Sequence, residues 1–172
     1  YRTNFSYVPQ KIFFLEDTIK QNIVFGSRGE FDRKKLDQVI FSSSLKDLID
    51  DLPDGIETKI SDSSQMVSGG QKQCIGIARA LYRGGDILIL DEPTRGIDVK
   101  ARLEIYQFII KMAQSGISCI VISSELEEVM GLCSRIVVMK GGEVSGILES
   151  DQLNEENIMF KATGIKSKEM TK

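Results

Sequence analysis

The residues Asn4 to Val8 read as an edge strand, which Pro9 and Gln10 interrupt. Helical spacing follows. It predicts a short amphipathic helix over Thr18 to Val24, started at Asp17 and closed by Gly26. It predicts a second over Phe31 to Phe41 with Leu36, Val39 and Ile40 on one face, and a third over Leu45 to Leu52, ended by Pro53 and Gly55. A polar stretch, Ser61 to Gln65, leads to Ser68-Gly69-Gly70-Gln71 and a helix to about Tyr82, whose Ala78, Leu81 and Tyr82 can face a core; Gly84-Gly85 ends it. The apolar run Ile87 to Leu90, bracketed by Asp86 and Asp91, is short enough for a buried parallel strand. Asp98 can cap a long helix to Gln114, Gly116 stops it, and Ile117 to Ile122 reads as a second buried strand, so a parallel crossover is implied. A short helix over Glu125 to Met130 precedes two strands, Arg135 to Met139 and Glu143 to Leu148, joined by the hairpin signal Gly141-Gly142. From Asp151 the pattern gives a small helix and then a polar, lysine-rich end.

Composition narrows the chemistry. The 172 residues carry 22 Lys plus Arg against 25 Asp plus Glu, a net charge of −3, which argues against a nucleic-acid clamp. No run approaches the roughly 18 to 20 apolar residues of a membrane-spanning helix. The chain has no histidine, which removes imidazole bases, imidazole metal ligands and every histidine-dependent nucleophile at once. Cys74, Cys119 and Cys133 lack C-x-x-C spacing and sit among apolar neighbours, so they read as packing residues in a reducing compartment.

Two local arrangements point to chemistry. Ligands of open α/β sheets bind at strand C-termini, and the strand ending at Leu90 delivers two adjacent carboxylates there, Asp91 and Glu92. Alternation along a strand sends successive side chains to opposite sides, so one carboxylate can hold Mg²⁺ while the next orients or deprotonates a water beside a phosphate. The second arrangement is Ser68-Gly69-Gly70-Gln71 at a helix start, where exposed N–H groups and the helix dipole favour an anion and Ser68 can act as N-cap. Alone, the two acids read more readily as a solvated strand end, and Ser68-Gly69-Gly70-Gln71 also reads as a capped helix start.

Together these residues resemble the ATP-binding cassette (ABC) ATPase family. Val67 to Gln71 is similar to its signature loop, Ile87 to Asp91 with Glu92 to its Walker B strand, Val8-Pro9-Gln10 to its Q-loop, Gly96-Ile97-Asp98 to its D-loop, and Ile122-Ser123-Ser124 to its switch segment. The five motifs stand in family order. The resemblance implies Glu92 as general base for water attack on the γ-phosphate of ATP, Asp91 as the Mg²⁺ carboxylate, and Gln10 as the link from metal and water to a transmembrane partner. It implies Ser124 at the switch position, and Ser68, Gly69, Gly70, Gln71 and Asp98 as nucleotide contacts, with Ser68 and Gly70 reaching ATP held by an opposing subunit. Residues up to Ala80 are similar to exporter ATPase domains, whereas Glu92 to Val99 and Ser123 to Leu126 are similar to the second ATPase half of monosaccharide importers, which leaves transport direction open.

The resemblance implies an incomplete P-loop NTPase (RecA-like) α/β fold, a mostly parallel sheet flanked by helices with a helical signature subdomain. The corresponding divisions are residues 1–14 (Q-loop region), 15–83 (helical subdomain), 84–148 (Walker B, D-loop and switch core) and 149–172 (tail). The implied partners are a second ABC ATPase domain and transmembrane permease domains on the cytoplasmic side of a membrane, with no nucleic acid. Two departures stand out. The phosphate loop G-x-x-x-x-G-K-[ST] occurs nowhere in the chain, and its expected place is upstream of Tyr1, which itself opens within a strand. Ser124 stands where the family carries its switch histidine. These departures suit an alternative, a catalytically inert half that supplies only the signature face of a composite ATP site. A chromosome-maintenance or repair ATPase is disfavoured, because the helical stretch shows no heptad run.

Overall fold

The computed structural model describes residues 5–164, so Asn4, the strand reading at Tyr1 and the lysine-rich end lie outside the described residues. The chain forms two compact units, which divide between Ile122 and Ser123.

The first unit opens with β1 (Phe5–Val8). A two-residue strand β2 (Asp17–Thr18) then leads into α1 (Ile19–Val24), α2 (Arg33–Ser42) and α3 (Lys46–Asp51). A 3₁₀ turn (Gly55–Glu57) and β3 (Lys59–Ile60) follow, with β3 antiparallel to β2. The unit continues with α4 (Gly69–Arg83), β4 (Ile87–Asp91), α5 (Val99–Gln114) and β5 (Ser118–Ile122). The capping residue of α1 is Thr18 rather than Asp17, and α2 is capped by Asp32, whose carboxylate accepts from the Lys35 amide. The β2–β3 ribbon and the 3₁₀ turn were not legible in the pattern, because two-residue strands carry no periodicity.

β1, β4 and β5 form one parallel sheet in that order, so the crossover through α5 is as expected. The burial differs from expectation. Val8, Leu88 and Leu90 are buried on the face that meets α4 and α5, where Ile75, Ala78, Ile105, Phe108 and Ile109 pack. On the opposite face Phe5 and Tyr7 are each 48% exposed and Ile120 and Ile122 each 49%. β5 is therefore not a strand buried on both faces; its apolar run faces a helix layer on one side only.

Segment 11–25 is tied to α4 by a buried polar hub. Asn22, fully buried, accepts from the Leu15 amide (2.9 Å) and from Arg79 Nη2 (3.0 Å), and donates to the Leu15 and Thr18 carbonyls. Arg79 also donates to the Asn22 carbonyl (2.7 Å) and the Phe13 carbonyl (2.8 Å), lying near the Phe14 and Phe25 rings. Burial, with the Arg83 charge, pulls its guanidinium down to about 10, still charged at neutral pH.

Close approach of α4 to the same segment depends on Gly76, where an added Cβ would overlap Ile12, 2.8 Å from its Cγ1. Gly76→Val is expected to cost about 1–3 kcal/mol by overpacking, since valine adds little helix propensity to offset it. Urea midpoints should show the penalty shrinking by about 1 kcal/mol in an Ile12→Ala background; equal penalties in both backgrounds would refute the contact.

The second unit holds α6 (Leu126–Leu132), the antiparallel hairpin β6 (Arg135–Lys140) and β7 (Glu143–Glu149), and α7 (Glu155–Thr163). Gly141 (φ 58°) and Gly142 (φ 84°) make the expected turn, since both positions need positive φ. Ile136, Val138 and Leu148 of the hairpin pack with Ile158 of α7 as the core of this unit.

All three cysteines are free, Cys74 buried and the others half-buried. Burial, helped by the Glu104 carboxylate, pushes the Cys74 thiol up to about 12. Raised above its unfolded value of about 8.5, it contributes stability that is intact below that pH and lost as pH climbs towards 12. Thiol titration at about pH 8 should therefore find Cys74 the slowest of the three to react, with unfolding removing the difference.

Candidate functional site

The parallel register brings the C-terminal ends of β1, β4 and β5 to one edge: Val8 pairs with Leu90, and Asp91 with Ile122. Gln10 lies in a bend two residues beyond β1, exposed at that edge. Asp91 is the last residue of the central strand and half-buried, and its Oδ2 accepts from the Tyr7 hydroxyl at 2.7 Å. That bond, followed by desolvation and the Asp91 charge, raises the Tyr7 phenol and keeps it a donor.

Glu92 leaves the strand. Its φ of 47° is a left-handed conformation that costs a non-glycine residue about 1–3 kcal/mol. The turn is fixed on both sides: the Glu92 amide donates to the Ile122 carbonyl (2.8 Å), and the Glu92 carbonyl accepts from the Arg95 amide (3.2 Å). Buried Pro93 and Thr94 follow, and the Thr94 carbonyl accepts from the Ile97 amide. Strand alternation therefore does not set the direction of Glu92, contrary to the sequence reading; a strained turn does.

A second group forms where two helices begin. Ser68 caps α4 in a reciprocal box: its hydroxyl accepts from the Gln71 amide (3.2 Å), and Gln71 Oε1 accepts from the Ser68 amide (2.8 Å). Ser68 and Gly69 are exposed and Gly70 is buried, where an added Cβ would overlap Cβ of Ala101. Asp98 caps α5, its carboxylate accepting from the Ala101 amide (3.0 Å). The start of α4 thus rests on the first turn of α5. First-turn amides have no partner within their own helix, so the exposed start at Ser68 and Gly69 suits an anion.

Ser124 is exposed and lies in a bend two residues past β5, in the second unit, where the Glu125 amide donates to the Ser123 hydroxyl (3.0 Å). The structure thus brings Gln10, Asp91 and Glu92 to one sheet edge and sets Ser68 to Gln71 beside Asp98. Tyr7 was missed by sequence reasoning, because its bond to Asp91 spans 84 positions and leaves no local signal.

The donor set fits Mg²⁺: a carboxylate at Asp91 and an amide oxygen at Gln10 are hard oxygen ligands, and this ion typically takes one or two carboxylates together with phosphates and water. Among the described residues no group of three or more acidic or cysteine side chains forms a metal cluster of its own. No helix among them is long and apolar enough to cross a membrane.

Comparison with known proteins gives the following. The family model described as ABC transporter matches residues 1–95. The ribose import ATP-binding protein RbsA of Lactococcus lactis subsp. lactis (strain IL1403) is 38% identical over 153 residues, 87% of this chain and 30% of that protein. RbsA of Halalkalibacterium halodurans is 41% identical over 157 residues, 90% of this chain and 31% of the relative. The galactose/methyl galactoside import ATP-binding protein MglA of Treponema pallidum is 33% identical over 165 residues, 92% of this chain and 33% of the relative. The chain thus spans about a third of the length of these relatives. Among solved structures, a bacterial Atm1-family ABC exporter with ATP bound superposes with a TM-score of 0.75 at 28% identity, covering 86% of this chain and 26% of that one.

Proposed function

The chain belongs to the ABC transporter family as an ATP-binding domain, and from that premise we propose that it supplies residues to composite ATP sites and couples hydrolysis to solute transport. The observation that carries this reading is the sheet edge itself, where the central strand ends in Asp91, a strained, doubly anchored turn carries Glu92, and Gln10 lies exposed past the end of the neighbouring strand. In this reading Glu92 accepts the proton of the water that attacks the γ-phosphate, and Asp91 and Gln10 hold Mg²⁺. When bound, Mg²⁺ neutralises charge on the β- and γ-phosphates. Ser68, Gly69 and Gly70, backed by Gln71 and Asp98, contact the phosphates of ATP carried by a second ABC ATPase domain, and Ser124 donates to phosphate at the switch position. Transmembrane permease domains are the mechanical partners, and the cytoplasmic membrane face the location. The names of the sequence relatives favour import of a monosaccharide over export.

A second reading is supported by one sequence observation: a serine, Ser124, stands at the switch position. In it the chain contributes only the signature face to a partner's ATP. Calorimetric titration of Mg²⁺-ATP into the chain, with turnover followed in parallel, tests the assignment. We expect no saturation up to millimolar ATP by the chain alone and turnover when it is assembled with an ABC ATPase domain bearing a phosphate loop. Saturable binding with turnover by the chain alone would overturn this division of labour. Turnover in the assembly that ignores Glu92→Gln but not substitutions at Ser68 would establish the inert half.

A further inference from the structure

We propose that Tyr7 is the positioning residue for Asp91: its hydroxyl holds one carboxylate oxygen of Asp91 and leaves the other aimed at the cation. The inference rests on the reading of Asp91 as the Mg²⁺ carboxylate and deepens it.

The placement follows from the sheet. Tyr7 pairs with Ile89 across the β1–β4 ladder, two positions short of Asp91, so both side chains stand on the same face. A phenol on that face is long enough to lean along the strand to the C-terminal edge, and the resulting bond to Oδ2, at 2.7 Å, has the length of a charge-assisted O–H···O⁻ contact. One strong donor on Oδ2 fixes the orientation of the carboxylate at the end of the strand and presents Oδ1. Ligating carboxylates are commonly held this way, and loss of such an outer partner typically weakens metal binding about 10–100-fold. Tyr7 is also half exposed on a face otherwise lined by Phe5, Ile120 and Ile122, where a hydroxyl is not needed for packing.

The test is an Mn²⁺ titration of the full chain, read by electron paramagnetic resonance, with native protein, Tyr7→Phe and Asp91→Asn compared. Tyr7→Phe keeps the ring and deletes only the donor, so its urea midpoint should match the native chain while its Mn²⁺ dissociation constant rises about 10–100-fold. Asp91→Asn should abolish the site. Unchanged Mn²⁺ affinity in Tyr7→Phe, with Asp91→Asn abolishing binding, would overturn the role of Tyr7 alone. Affinity unchanged in Asp91→Asn, or no binding to the native chain, would overturn the metal reading and this inference with it. An affinity loss matched by an equal loss of folding stability would assign Tyr7 to structure only.

Discussion

Glu92→Gln is expected to lower ATP turnover about 10²–10⁴-fold in any assembly where this chain supplies the carboxylates, the range a positioned general base contributes. The substitution suits the site because it leaves the backbone alone. Glutamine has the same length and branching, and the turn is held by main-chain bonds to the Ile122 carbonyl and from the Arg95 amide. What glutamine loses is the ability to accept a proton from water at neutral pH. Nucleotide-driven association should therefore persist while phosphate release stops, and the two readouts together separate a lost base from a lost fold. Single-turnover phosphate release measured beside ATP-dependent association is the experiment. Turnover within about threefold of native would remove Glu92 as the base, since a factor that small is under 1 kcal/mol of barrier.

The left-handed φ of Glu92 also explains why that part of the site was hard to read. The adjacent acids after a buried run were visible in the sequence, and β4 does end at Asp91. The direction of the second acid was not, because it depends on a bond to Ile122 on the neighbouring strand. The same distinction runs through the molecule. The caps Ser68 and Asp98 were legible because a cap is a local bond over three residues, and both helices begin where those residues place them. The Gly141-Gly142 hairpin was legible for the same reason. The exposure of Ile120 and Ile122 was not, since an apolar run reports that a strand is hydrophobic and not which face a helix covers. The Tyr7–Asp91 and Asn22–Arg79 pairings join distant positions, and a single sequence holds no record of such contacts.

Ser68→Asp separates the two duties assigned to the start of α4 and is expected to reduce ATP-driven association of the two ATPase domains by more than about tenfold, or 1.4 kcal/mol. Aspartate is as good an N-cap as serine, and its charge is favourable at a helix N-terminus. The bond now made by the Ser68 hydroxyl to the Gln71 amide is therefore retained, as is the return bond from the Ser68 amide to Gln71 Oε1. Gly70 stays seated against Ala101, so the packing of α4 on α5 has no reason to change. The melting temperature should consequently be unchanged or slightly higher. What changes is the sign of the charge met by an incoming phosphate: a carboxylate replaces a hydroxyl donor, and the exposed amides at Gly69 that favour an anion are screened by a fixed one. Ser68→Ala is the complement, losing about 1 kcal/mol of cap stability while adding no repulsion, so it should melt earlier and associate better than the aspartate variant. If the order of association is reversed, with alanine worse than aspartate, the helix start acts only as a cap and phosphate is bound elsewhere.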